Sequence, residues 1–207
     1  MRTFTLLALV GVSLAAAPAA QTGERSGRPS DSIERPFESG GRVRMRLSAG
    51  DYEIIGTSEN RMRLEWRVRD PERLWRVKAR ADIEGSRATI ETDGPDNSGF
   101  HVTIRVPTRT DLNIDLSAGK LRIEGIDGNK DIDLYAGEVN VDVRRAADYR
   151  SVDASLWAGE IDARPFNASK GGLFRSVAWT GPGSYRLRVG LWAGEIRLYT
   201  TSSAASR

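Results

Sequence analysis

Hydrophobic and polar residues alternate along most of this chain. Val43, Met45 and Leu47 point one way while Arg42, Arg44 and Arg46 point the other. Met62, Leu64, Trp66 and Val68 alternate with Arg61, Arg63, Glu65 and Arg67, and Phe100, Val102, Ile104 and Val106 with His101, Thr103 and Arg105, where Pro107 ends the run. Leu112, Ile114 and Leu116, then Val139, Val141 and Val143, then Tyr185, Leu187, Val189 and Leu191 repeat the pattern against polar partners. Period two with one charged face predicts half-buried strands. No window of similar length carries a helical stripe, and Arg144 to Arg150 offers one turn at most. Trp66 and Trp75 follow the apolar parity and are expected in the core. The class is all-β.

A repeat lies over the alternation. Five segments align: LSAGDYEI from Leu47, LSAGKLRI from Leu116, LYAGEVNV from Leu134, LWAGEIDA from Leu156 and LWAGEIRL from Leu191. Within each, the inward parity changes across Ala-Gly: Leu116 and Ala118 face inward, then Leu121 and Ile123. A glycine at the corner supplies a positive φ or a bulge that re-aims the strand without steric cost. The small alanine suits the inside of the corner. The expectation is a solenoid-like or two-sheet stacked domain of strand–turn–strand units, with essentially no helix apart from a signal peptide. Its corners fall at Gly50, Gly119, Gly137, Gly159 and Gly194.

The stretch VTIRVPTRTDLNIDLSAGKLRIEGIDGNKDIDLYAGEVNVDV, Val102 to Val143, resembles the bacterial "putative adhesin" family of β-strand repeat proteins. Members show a strand ending in Val-Pro, a polar step, then recurrent Ser-Gly-x-hydrophobic units. Here Ala-Gly replaces the frequent Ser-Gly, and two units add a tryptophan. The resemblance extends over Arg42 to Thr200. It implies an all-β domain, often exported or displayed at the envelope, and brings no catalytic residues with it.

The ends of the chain carry an address. Residues 1–20 read as a signal peptide: Arg2, an apolar core from Phe4 to about Ala16, then Ala17-Pro18-Ala19 as a cleavage site. Thr5 and Ser13 interrupt the apolar run, which is short for a spanning helix. No cysteine follows to carry a lipid. Residues 21–41, rich in Gly, Ser, Pro and charge, read as a flexible leader, and 201–207 as a disordered tail. One domain, 42–200, remains, with no transmembrane segment expected in the mature chain.

Composition narrows the chemistry. Among 207 residues there is no cysteine and one histidine, which excludes disulfides, thiolate sites and histidine pairs for zinc. The formal charge is +3, unevenly spread. Arg42 to Arg80 holds 11 basic and 6 acidic residues, and Asp111 to Ala163 holds 6 basic and 12 acidic. The acidic middle and the export signal argue against nucleic acid as a partner. The basic lobes suit contact with an anionic envelope surface, or are simply solvated.

Three constellations are candidates for chemistry. Asp127, Asn129, Asp131, Asp133 and Glu138 have the spacing of a calcium loop, but Ile132 stands where that loop needs glycine. A turn at Asp127-Gly128 followed by a strand is the preferred reading, so no metal and no cofactor are expected. Glu138, Glu160 and Glu195 recur after the repeat glycine and stack into a column in the manner of polysaccharide-acting enzymes. Lys120 and Asp51 take that place in other units, which fits a solvated turn, and no catalytic residue is assigned. His101 reads as plain surface. Tyr135, Trp157 and Trp192 share one repeat position, opposite in parity to Leu134, Leu156 and Leu191. If the leucines are core, these rings stand outward in a row able to stack on sugars or dock a protein.

The sequence therefore reads as an exported, non-enzymatic binding or scaffold module of the bacterial envelope, with adhesion as the implied theme. Its partner is an envelope polymer, polysaccharide or anionic surface, or another envelope protein. The alternatives are a polysaccharide-acting enzyme and an accessory protein of envelope-stress signalling.

Overall fold

A computed structural model describes residues 30–95 and 97–201. Twelve strands follow in chain order: β1 Ser30–Pro36, β2 Arg42–Leu47, β3 Gly50–Thr57, β4 Arg61–Arg67, β5 Lys78–Glu84, β6 Arg87–Asp93, β7 His101–Pro107, β8 Asp111–Glu124, β9 Lys130–Asp142, β10 Tyr149–Ala163, β11 Ala168–Thr180 and β12 Tyr185–Tyr199. Three short 3-10 turns, Pro71–Arg76, Ala146–Asp148 and Arg164–Phe166, are the helical segments among the described residues. The all-β expectation is met by one large mixed sheet.

The sheet is folded into two leaves by its long strands. The first half of β8 pairs in parallel with β2, Leu116 opposite Leu47, and its second half with β3, Gly119 opposite Gly50. β9, β12 and β10 continue side by side in the same register, so that Gly119, Gly137, Gly194 and Gly159 form one line. Along β8, Leu112, Ile114 and Leu116 are buried, and beyond the corner Leu121 and Ile123 are. The change of parity turns both halves toward a single apolar core. Each fully buried Ile, Leu or Val there contributes about 1.5–3 kcal/mol. Parallel neighbours ordinarily need a crossover of a dozen or more residues. Here the short Gly125–Asn129 link between β8 and β9 suffices, because the bent strand ends near where the next one begins.

The order of strands is not the order of the chain. β12 lies between β9 and β10, and β11 runs antiparallel to β10 at the edge. The repeats at Leu156 and Leu191 are therefore neighbours, with the last one inserted before its predecessor.

Three expectations are corrected. The leader assigned to 21–41 contains β1, which pairs along its whole length with β4, and Phe37, which is 2% exposed in the core. Ser30–Pro36 has few apolar residues, but β4 offers it a row of backbone partners. Trp75 is 78% exposed rather than core. Asp70 accepts a hydrogen bond from the Glu72 amide at 3.0 Å, and Pro71 follows. This cap starts a 3-10 turn that takes Trp75 out of strand parity, whereas Trp66 is buried as expected. Thr201, assigned to the tail, is tied to Asp142 Oδ1 through its amide at 3.1 Å. The signal peptide, residues 21–29 and residues 202–207 lie outside the described residues.

Candidate functional site

The corner positions the aromatic residues. Leu134, Leu191 and Leu156 are 3–4% exposed, so the next residue on each strand must point outward. Those residues are Tyr135, Trp192 and Trp157, exposed by 65%, 47% and 38%. Because β12 lies between β9 and β10, Trp192 is the middle ring. It stacks on Trp157 with ring centroids 4.5 Å apart and on Tyr135 at 6.2 Å, planes within 2° and 3° of parallel. Phe174 of β11 closes the row edge-on to Trp157, centroids 5.6 Å apart.

Phe174 and its exposed neighbour Leu173 escaped the sequence reading, because β11 carries no Ala-Gly unit. Gly171-Gly172 just before them was the available signal for an irregular, exposed edge. Phe174 takes φ +51°, a left-handed conformation that costs a non-glycine residue about 1–3 kcal/mol.

The glycines that shape the corner are held more tightly than a turn alone requires. Gly137 has φ +138°, and a Cβ built on it would lie 1.8 Å from the carbonyl oxygen of Gly119. Gly194 repeats this against Gly137 O, and Gly159 against Gly194 O, each at 1.8 Å. Gly50 differs: it does not adopt a positive φ, and a Cβ there would meet the Phe100 carbonyl oxygen at 3.0 Å.

The other candidates do not form sites. The calcium-spaced residues are dispersed into separate bonds. Asp127 pairs with Arg144 at 3.3 Å, Asn129 bonds Asp111, and Asp131 and Asp133 share Arg188 at 2.7 and 2.9 Å. These two carboxylates raise the pKa of Arg188, chiefly through the Asp133 hydrogen bond. Glu138 sits beyond the corner, 3.2 Å from Lys120. No group of acidic or histidine side chains suited to a metal is found among the described residues. The glutamates do stack in register as Glu138, Glu195 and Glu160. They line none of the grooves described below, and Glu195 pairs with Arg197. His101 is half-buried at the start of β7, and its pKa is lowered by desolvation and then by Arg67.

One buried ionisable group was missed. Lys130 is 1% exposed, and its Nζ donates to Ile126 O at 2.9 Å, Gly128 O at 3.1 Å and Tyr149 Oη at 2.8 Å. Burial pushes its pKa down to about 8. It begins β9 on the inward side and fastens the Gly125–Asn129 link between β8 and β9 to Tyr149, so its role is structural.

One open groove adjoins the row, and a second lies at the starts of β2, β8, β9, β10 and β12. One, about 820 Å³, has Tyr135 and Trp192 at its end, with Ser48 and Ser117 in its lining. The other, about 660 Å³, is lined by Arg42, Arg44, Arg150, Arg186 and Arg188 among others.

Neither a protein-family model nor a curated protein matches the chain. Among solved structures, a "putative cell adhesion protein" from Clostridium sporogenes superposes with a TM-score of 0.55 at 13% identity, covering 84% of this chain and all of that one. The chain has the fold of that protein. A "putative adhesin" from Parabacteroides merdae also matches, with a TM-score of 0.30 at 12% identity over 84% of this chain and 82% of that one. The clostridial likeness is one of fold, and it agrees with the adhesin-type resemblance of Val102 to Val143. No helix among the described residues is long and apolar enough to cross a membrane.

Proposed function

We propose that this chain is an exported, non-catalytic binding module of the bacterial envelope that holds its partner through the outward aromatic row. The observation behind this reading is the row itself. Four aromatic side chains on four adjacent strands stand exposed at one level of the sheet, two of them large indoles. Stacking among themselves contributes roughly 0.5–1.5 kcal/mol per pair. An exposed phenylalanine with a positive φ at the end of the row adds strain at the same place. Strain and solvent-facing apolar area together mark a surface shaped for contact. Export rests on residues 1–20, and adhesion as a theme on the clostridial likeness.

The test compares residues 21–207 with the double variant Trp157→Ala, Trp192→Ala for retention on isolated envelope material. Both should melt cooperatively, because the two rings are partly exposed. The wild type should be retained and the variant released. A folded variant retained as well as the wild type would refute the row as the contact surface.

A further inference from the structure

The rings in the row lie face to face, so most of their faces are already used. Trp192 is covered on both sides, by Trp157 and by Tyr135, and Phe174 meets the far face of Trp157 edge-on. Of the three mutually stacked rings, Tyr135 keeps an open face, the one turned toward β8. Strand spacing of about 4.8 Å puts the next place in the row above Ser117, since Leu116 pairs with Leu134. Beyond it come Ser48, beside the Leu47–Leu116 pair, and Asp93, beside the Leu47–Thr92 pair.

Neither serine fills its place. The Ser117 hydroxyl donates to Leu47 O at 3.3 Å, and the Ser48 hydroxyl accepts from the Gly94 amide at 3.0 Å. Two ring-sized places therefore stand open between Tyr135 and Asp93, and they coincide with the 820 Å³ groove. Its floor includes the edges of Leu47 and Leu116, and its rim carries Asp93, Asp115 and Asp133 against Arg46. Arg46 is engaged by Glu91 at 2.7 Å. Asp115 and Asp93 have their cations only at 3.7 and 4.0 Å, which leaves acceptor positions open.

We infer that this groove takes a neutral sugar ring of a glycan chain, stacked on the free face of Tyr135 with its hydroxyls bonded to Asp115 and Asp93. The inference rests on the binding-module reading and names its ligand. A pyranose has an apolar C–H face and a rim of hydroxyl donors. A flat aromatic face matches the first, and carboxylate acceptors match the second with charge-assisted hydrogen bonds. A few placed polar groups around an apolar wall are what fix a small ligand's orientation. Each rim carboxylate has a cation of its own, Asp133 with Arg188, Asp115 with Arg44 and Asp93 with Lys78, and Arg46 is held by Glu91, so the groove offers no unpaired positive charge to a phosphate or uronate group and the complementary ligand is uncharged. An anionic chain would instead be drawn to the arginine-lined groove.

The experiment titrates residues 21–207 with cellohexaose, chitohexaose and an oligogalacturonate, read by calorimetry and tyrosine ring signals. At least one neutral hexamer should bind. Tyr135→Ala, at a side chain exposed enough to spare the fold, should weaken it at least about tenfold. Ser117→Tyr, which puts a ring in the open place, should weaken it equally, while Trp75→Ala, at an exposed indole outside the row and the groove, should leave it within about twofold. A melting curve accompanies each variant, and Tyr135→Ala decides alone if Ser117→Tyr does not fold. Binding of neither neutral hexamer overturns the inference, as does binding unchanged in Tyr135→Ala. So does oligogalacturonate binding that is lost in Arg150→Ala, Arg186→Ala and kept in Tyr135→Ala. If envelope retention still depends on Trp157 and Trp192 in any of these cases, the sugar assignment fails and the binding-module reading stands. If it does not, both fail.

Discussion

Replacing Gly137 by alanine adds one methyl group at the centre of the corner line. Two costs follow. A residue with a side chain at φ +138° is strained by about 1–3 kcal/mol. The new Cβ would also fall 1.8 Å from Gly119 O and 2.8 Å from Gly119 C, atoms of the neighbouring backbone that cannot rotate away. The strands must part locally, at a cost like that of overpacking, about 1–3 kcal/mol. The sum is about 2–6 kcal/mol, a fall in Tm of about 4–24 °C for a domain of this size. Two other glycines separate the terms. Gly85 has φ +60° with nothing within 4 Å of its Cβ, so Gly85→Ala isolates conformational strain, about 1–2 kcal/mol, and should lower Tm by about 2–8 °C. Gly171 has its nearest atom, Gly159 O, at 3.8 Å, and Gly171→Ala should melt within about 2 °C of wild type. Differential scanning calorimetry on the four proteins gives the ranking. If Gly137→Ala melts with Gly85→Ala, the carbonyl does not occupy the Cβ position, and the close-packed corner is refuted.

Phe37→Ala should cost about 3–5 kcal/mol in a urea titration, because the ring is core; a loss under 1 kcal/mol would return this segment to a leader. Lys130 makes stability depend on pH in an unusual direction. Its pKa of about 8 lies below the ordinary lysine value, so above that pH the native state gives up the proton first and the unfolded chain holds more protons. Stability from this group should rise between about pH 8 and 10, by up to about 1.4 kcal/mol per pH unit. Above about pH 10 it should fall, because burial raises the pKa of Tyr149 and the unfolded chain ionises its tyrosine first. Urea midpoints across that range should show the rise in wild type and lack it in Lys130→Met. N-terminal sequencing of the protein recovered outside the cytoplasm of an expressing bacterium should begin near Ala20 or Gln21, and retention of residues 1–19 would contradict the signal peptide.

What the sequence made legible followed from local rules. Period-two runs such as Leu112 to Leu116 became strands with the expected buried face, and the parity switch at Ala-Gly turned the sheet where it should. The outward orientation of Tyr135, Trp157 and Trp192 followed from the burial of the leucines before them. What stayed hidden depended on partners distant in the chain. Nothing in LWAGEIDA and LWAGEIRL says that the second is inserted before the first, because their registers are interchangeable. Ser30–Pro36 became a strand through β4's backbone, which no apolar pattern announces. The glycines were read for their φ, while the neighbouring carbonyl that excludes a side chain appears only once strands are placed side by side. Trp75 was misplaced although Asp70-Pro71 spelled a helix start; the alternation was carried one turn too far.

The binding row is tested most directly by the indole N–H signals of a 15N-labelled sample. The chain has five tryptophans, and four besides the core residue Trp66 have some exposure: Trp75, Trp157, Trp179 and Trp192. On addition of solubilised envelope material, the signals of Trp157 and Trp192 should shift or broaden together, while those of Trp66, Trp75 and Trp179 stay in place. A spectrum in which Trp75 responds and the stacked pair does not, or in which none of the five moves, would contradict the account.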